Sequence, residues 1–205
     1  NSCCLVFIHF LAIIAMSEST AVLSQAVNSQ LMGAAALPNA KDLFVALQAT
    51  EKSTKASYTL RDLVGIWRLC FITGTKKTRQ KAGVALGTGR YLPKLIKIQL
   101  EYQASSDDQG VVQNSVALGQ LTLTLTGPVK FWLKARCLAF DFTQIQVAIG
   151  RLTLYRGRIK PQDADEMFYQ QSLKEQAFFK YFWVTEQGVA ARGRGGGLAL
   201  WSRAR

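Results

Sequence analysis

Histidine is almost absent from this sequence, and the one residue of this type is His9. With one histidine in the sequence we expect no Ser–His or Cys–His nucleophile, and a zinc site built from several histidines is excluded. The cysteines show neither metal-ligand spacing nor a dense disulfide framework, so we expect reduced, buried thiols at Cys3, Cys4, Cys70 and Cys137. The scarcity of histidine does not exclude catalysis by carboxylates, but no residue pattern indicates it. We predict a protein that is not an enzyme and needs no metal or cofactor.

Acidic residues are also scarce, with 13 Asp and Glu against 25 Lys and Arg, which gives a formal net charge of +12. A charge of this size predicts an anionic partner, and nucleic acid, an anionic membrane and acidic proteins all qualify. Hydrophobic residues make up 49% of the 205 positions and charged residues 19%. This composition predicts one folded domain with a substantial core rather than a disordered chain.

The positive charge is concentrated in one stretch, because no acidic residue occurs between Asp62 and Glu101. On an anionic leaflet each cation contributes roughly 1 kcal/mol, and Leu92 and Leu95 beside Pro93 could add an apolar contact. We predict that the stretch faces an anionic membrane surface; the alternative is a solvated basic hairpin. The predicted membrane-facing cations are Lys76, Lys77, Arg79, Lys81, Arg90, Lys94 and Lys97.

The first fifteen residues form an apolar run that precedes Met16. The run is shorter than the ~20 residues of a membrane-spanning helix and lacks the basic start of a signal peptide. We interpret residues 1–15 as a non-native or targeting extension.

Helical signals occur in residues 16–57, and one or two further helical turns are predicted around Asp163 to Gln176. The composition of the stretch from Thr20 to Leu37 predicts one helix, and Asn39 is a candidate N-cap for a second. A polar linker ends this helical segment, and residues 58–205 are predicted to form the β domain described next.

Alternating apolar and polar residues dominate from Leu63 onward, as in "LIKIQLEY" and "QLTLTLTG". This alternation is typical of antiparallel strands with one wet face. We interpret "QVAIGRLTLYRGRI" as one strand with a bulge at Gly150. Eight or nine such short strands predict a mainly β protein, either a sandwich or an up-and-down barrel.

Four segments, "LVGIWRLCFITG", "GRYLPKLIKIQL", "KEQAFFKYF" and "VAARGRGGGLALWSR", resemble the PAP/fibrillin family of plastid lipid-associated proteins, especially its cyanobacterial and plastid members. The resemblance extends from about Leu60 to Arg203. It implies a lipocalin-like antiparallel β-barrel at thylakoids or plastoglobules. It also implies binding of a carotenoid, quinone or lipid without catalysis.

A glycine two residues before a tryptophan opens the first strand, where it allows the close approach of another group. In a barrel this arrangement closes one end, and an arginine from the last strands can stack on the indole. The candidates for that arginine are Arg192, Arg194 and Arg203, and the resemblance matches Arg192 and Gly193 to the late element of the family. We therefore assign the barrel-end plug to Gly65, Trp67, Arg192 and Gly193.

A barrel of about eight strands has room for one small ligand if apolar side chains line it. The alternative is that the same side chains pack against each other in a filled core. The predicted ligand-lining residues are Ile98, Leu100, Leu121, Leu123, Phe140, Phe142, Phe179 and Tyr181.

Taken with these patterns, the resemblance implies a peripheral protein that binds a lipophilic small molecule at a photosynthetic membrane. We expect it at the thylakoid or in the cytoplasm of a cyanobacterium, or in a plastid, with no transmembrane helix. The alternatives are a ligand-free structural or assembly protein of that membrane and a basic nucleic-acid-binding β protein.

Neutralising the cations of residues 76–81 should weaken membrane binding without affecting folding. Replacing Lys76, Lys77, Arg79 and Lys81 with glutamine should abolish cosedimentation with anionic vesicles, because the charge attraction is removed, and should leave the unfolding midpoint unchanged. Trp67→Ala should instead lower the free energy of unfolding by about 3–5 kcal/mol. Vesicle binding that persisted without the four charges would contradict the membrane assignment.

Overall fold

The computed structural model describes residues 17–31, 36–54, 57–74 and 89–204, so the predicted extension at residues 1–15 lies outside the described residues. Within these ranges the helices are α1 over residues 17–31, α2 Ala40–Ser53, α3 Leu60–Leu63 and α4 Ala164–Gln170. The strands are β1 Gly65–Ile72, β2 Arg90–Tyr91, β3 Ile96–Ala104, β4 Gln109–Leu118, β5 Leu121–Trp132, β6 Cys137–Phe140, β7 Gln144–Ile149, β8 Leu152–Arg158, β9 Ala177–Val184, β10 Gly188–Gly193 and β11 Leu198–Arg203.

Eight antiparallel strands close into a barrel in the order β4-β3-β1-β11-β10-β9-β6-β5, and β5 pairs back with β4. The structure confirms the predicted mainly β, lipocalin-like antiparallel barrel with a short N-terminal helical segment. Closure leaves no unpaired edge in the barrel itself. The short β2 pairs with β1, and the β7–β8 hairpin continues from β5 outside the ring.

The strands β10 and β11 are buried on both faces, which explains why their sequences are almost continuously apolar. Ala199 and Trp201 face the barrel interior, whereas Leu198 and Leu200 belong to a second cluster on the outer wall. Both clusters exclude water, so no alternation between apolar and polar residues is required here.

The N-terminal helices cover that outer wall. The Asn39 side chain accepts a hydrogen bond of 2.9 Å from the Lys41 N–H, which confirms the predicted cap of α2. Leu43 and Leu47, four residues apart on one helix face, are fully buried in the outer cluster. Leu23 of α1 joins them. Residues 36 and 37, which the prediction included in the first helix, are not helical.

One end of the barrel is closed by α3 and the residues just before it. Leu60 and Leu63 are fully buried in the interior cluster. The Thr59 N–H donates to the Asp62 carboxylate over 2.8 Å, which satisfies one of the backbone donors at the start of this short helix. Because Leu60 and Leu63 pack into the interior, this helix acts as the floor of the barrel. We call the end of the barrel at α3 the closed end, and the opposite end the open end.

The segment around Gly150 forms a hairpin, so the prediction of one bulged strand was wrong. Gly150 has φ +55 and Arg151 follows it in the turn between β7 and β8. A tight hairpin turn needs positive φ, which glycine adopts without strain. The bulge of this hairpin lies between Val147 and Ala148 instead.

The thiols of Cys70 and Cys137 are free and buried, as predicted, whereas Cys3 and Cys4 lie outside the described residues. Cys70 Sγ lies 3.3 Å from Ser202 Oγ, and burial raises the pKa of both thiols. They are therefore protonated side chains of the core.

A bidentate ion pair ties α2 to the barrel. The guanidinium of Arg192 on β10 donates two hydrogen bonds to the Glu51 carboxylate and a third to the Gly196 carbonyl. Both charged side chains are largely buried, at 30% and 24% exposure. Paired geometry and partial desolvation make such a contact stronger than an exposed ion pair.

Removing one partner of this pair should loosen the helix. Glu51→Gln should lower the free energy of unfolding by about 1–2 kcal/mol, because a half-buried guanidinium loses its counter-charge. Asp107→Asn is the matched control, since its pair with Arg61 is exposed and should contribute at most about 0.5 kcal/mol. Urea unfolding measures both variants, and equal effects would contradict the anchoring role.

Candidate functional site

The closed end contains the predicted stacking interaction between tryptophan and arginine. The Trp67 indole donates to the Leu63 carbonyl over 2.7 Å, and the Arg203 guanidinium lies 4.2 Å from the indole centroid. Arg203 Nη1 also donates to the Val64 carbonyl over 2.8 Å. Gly65 has φ +124, and a methyl group there would lie 2.0 Å from Arg203 Nη1. The structure therefore brings Gly65 and Trp67 together with Arg203.

Arg192 and Gly193 do not lie at this end, and assigning them to the plug was an error of strand direction. The strand β10 runs antiparallel to β11, so Arg192 pairs with Leu198 at the start of β11, whereas Arg203 at its end pairs with Trp67. Gly193 pairs with Phe179. Arg192 instead forms the ion pair with Glu51.

A layer of three tyrosines lies above the floor of the barrel. The hydroxyls of Tyr102 and Tyr181 are 2.9 Å apart, and the Tyr58 hydroxyl donates to the Arg136 carbonyl over 2.7 Å. Burial raises the pKa of all three hydroxyls, so they are neutral. Tyr181, a predicted ligand-lining residue, therefore belongs to the filled half of the barrel.

Toward the open end the barrel holds an apolar cavity of about 180 Å³. Five of the eight predicted ligand-lining residues lie in its wall: Ile98, Leu100, Phe140, Phe142 and Phe179. The rings of Phe140 and Phe179 stack there with centroids 5.0 Å apart. Sequence reasoning missed the other five wall residues, which are Leu69, Ile72, Asn114, Ala199 and Trp201.

The two remaining predicted residues, Leu121 and Leu123, lie beyond the cavity mouth. In the strand register Leu123 pairs with both Val116 and Val147. Residues that pair directly across strands share one face, so the inner face of the barrel continues onto the β7–β8 hairpin. We call this surface the apolar shelf; it consists of Val116, Leu118, Leu121, Leu123, Leu125, Ile145, Val147, Ile149 and Leu152. The opposite face of the same strands is polar, with Thr122, Thr124, Gln144 and Gln146.

The rim of the open end combines exposed apolar and cationic side chains. Leu95 and Leu152 are 79% and 66% exposed, and Lys94 and Lys97 are exposed beside Leu95. Arg90, also exposed, pairs with Ile72 at the end of β1. No acidic residue occurs in residues 109–140 or 142–162, which form both hairpins of this rim. Lys76, Lys77, Arg79 and Lys81 lie outside the described residues.

A larger cleft of about 420 Å³ lies at the outside of the closed end. Arg61, Asp62 and Arg203 contribute to its walls, so its charged lining does not suit an apolar ligand. Within the described ranges no cluster of three potential metal ligands occurs. In the same ranges, no helix has both the length and the apolarity needed to cross a membrane.

Adding a methyl group at Gly65 should disrupt the stack at the closed end. Gly65→Ala should lower the free energy of unfolding by about 3 kcal/mol, because backbone strain adds to the displacement of the Arg203 guanidinium. Gly119→Ala is the control, since Gly119 also has positive φ but open space around it, and it should cost about 1 kcal/mol. Guanidinium unfolding compares the two, and equal costs would rule out a contribution from the stack.

Comparisons with known proteins do not assign the chain to a family. No family model matches it, and no curated protein matches it. Among solved structures it is similar to a redesigned β-barrel at 10% sequence identity and a TM-score of 0.34, covering 71% of this chain and 95% of that one. A second redesigned β-barrel, mFAP1 bound to DFHBI, is similar at 10% identity and a TM-score of 0.32, covering 73% of this chain and all of that one. The description of the fold therefore rests on the strand pairing itself.

Proposed function

We propose that this protein binds a lipophilic small molecule in the open half of its barrel, without catalysis, at the surface of an anionic membrane. The observation that carries the proposal is the apolar cavity of about 180 Å³, which continues into the apolar shelf. An eight-stranded barrel holds one small ligand when its interior is not fully occupied by side chains. The tyrosine layer fills the closed half, so the ligand belongs to the open half.

The size of the cavity limits what it can enclose. A dry cavity of about 150 Å³ is sufficient for benzene, so the space here suits one substituted ring rather than a whole carotenoid. A longer apolar tail would lie on the shelf, where each buried CH₂ contributes about 0.8 kcal/mol. The ligand is thus an amphiphile or isoprenoid with a compact ring at one end.

The rim supports a membrane-facing orientation of the cavity mouth. Exposed Leu95 and Leu152 can enter the interfacial region while Lys94 and Lys97 contact anionic headgroups. The strand β1 ends at the same end and β2 begins there, on either side of the predicted basic stretch in the sequence. A ligand could then pass between bilayer and cavity without crossing water.

The resemblance to the plastid lipid-associated proteins supports a photosynthetic membrane, thylakoid or plastoglobule, as the location. It also supports a carotenoid, quinone or lipid as the ligand class. Both remain proposals that depend on the quoted sequence segments.

Ligand capture from membranes tests the proposal. After incubation with vesicles made from the lipids of photosynthetic membranes, the re-isolated protein should yield roughly one pigment, quinone or lipid molecule per chain on organic extraction. Ala199→Leu should lower the recovery several-fold, because the added carbons occupy the cavity wall. Ala117→Leu makes the same change on the outer face of β4 and should leave the recovery unchanged.

Two outcomes would contradict the proposal. Recovery far below stoichiometry in the unaltered protein would favour the ligand-free structural or assembly protein. Equal loss in both leucine variants would show that the bound molecule lies outside the cavity.

A further inference from the structure

The cavity wall contains one amide among aliphatic and aromatic side chains. Asn114 lies on β4 between its partners Leu100 on β3 and Leu125 on β5. Its Oδ1 is buried and has no hydrogen-bond partner among the described residues. A buried acceptor without a partner lowers the stability of the empty protein. An unpaired group of this kind therefore calls for an explanation.

The register shows how isolated this amide is. On the same face of β3 and β4 one neighbour is polar, Tyr102, and its hydroxyl is already paired with that of Tyr181. The other neighbours on this face of β3, β4, β5 and β7 are aliphatic: Ile96, Ile98, Leu100, Val112, Val116, Leu118, Leu121, Leu123, Leu125, Ile145, Val147 and Ile149. An ordered water needs two to four polar partners. The one other polar side-chain group in the wall is the indole N–H of Trp201. The wall side chains thus offer a water no more than the minimum of two partners, so water is a poor substitute for a ligand group.

We propose that Asn114 Oδ1 accepts a hydrogen bond from the ring end of the ligand. Oδ1 is the one atom of this amide that is buried without a partner, and it can only accept. The cavity then selects a ring that carries a donor, a hydroxyl or an N–H, over a ring with only carbonyl or ether oxygens. This inference rests on the proposed function, because it assigns a polar contact inside the proposed binding site. Phenols, ring alcohols and reduced quinols have the required donor, whereas oxidised quinones do not.

Three probes of nearly equal size distinguish the contribution of a hydrogen-bond donor from that of the apolar ring. Indole carries an N–H donor, benzofuran carries an oxygen acceptor, and indene is a hydrocarbon. By isothermal titration calorimetry, the unaltered protein should bind indole about 5- to 10-fold more tightly than benzofuran or indene. This preference corresponds to one buried hydrogen bond to a neutral acceptor.

Asn114→Leu should abolish the preference by lowering the affinity for indole to that for indene. Its thermal unfolding midpoint without ligand should be equal to or above that of the unaltered protein, because the orphaned acceptor is gone. Gln113→Leu makes the same kind of change one residue earlier, on the exposed outer face of β4. This control should keep the indole preference.

The outcomes distinguish this inference from the function on which it rests. If all three probes bind equally well to the unaltered protein, the cavity is a binding site but Asn114 does not select a donor. The same conclusion follows if Asn114→Leu keeps the indole preference. If no probe binds, the cavity is not a binding site and the proposed function fails as well.

Discussion

The double pairing of β5 is the constraint on which the rest of the structure depends. Its last residues pair with β6 and its first residues with β7, along one edge, while β4 occupies the other edge. The end near β6 is drawn into the closed ring, and the end near β7 turns outward as an open sheet. A single strand thus divides the molecule into a filled half, where the tyrosines meet, and an open half that contains the cavity and the apolar shelf.

The sequence predicted the strands whose two faces differ and the contacts that are local. Three features could be recognised in the sequence because each depends on a few neighbouring residues. They are the alternation in β3 and β5, the Asn39 cap, and the Gly65–Trp67 pair. The strand β4 was missed because small and polar residues occur at both odd and even positions of "GVVQNSVAL". Neither face of the strand therefore stands out as apolar in the sequence. The Gly150 hairpin was missed because a glycine between apolar runs fits either a bulge or a turn.

The candidate site was only partly predictable for a related reason. The wall residues Ile98 and Leu100 lie on β3, whose alternation is clear, whereas Ala199 and Trp201 lie on β11, which is buried on both faces. Asn114 had no sequence signal, since an isolated asparagine in a strand is usually at the surface. Choosing Arg203 over Arg192 required the direction of β10 relative to β11, and that is a property of the topology.

The exposed strand β8 has a consequence for cooperativity. Both of its faces are largely exposed, and of the described strands it pairs only with β7. Separating it therefore breaks one ladder and uncovers little buried surface, whereas opening the ring disrupts the interior cluster. Local opening free energies differ accordingly between such units. The outer part of the apolar shelf can fluctuate, or rearrange around a bound tail, while the barrel floor and its tyrosine layer stay intact.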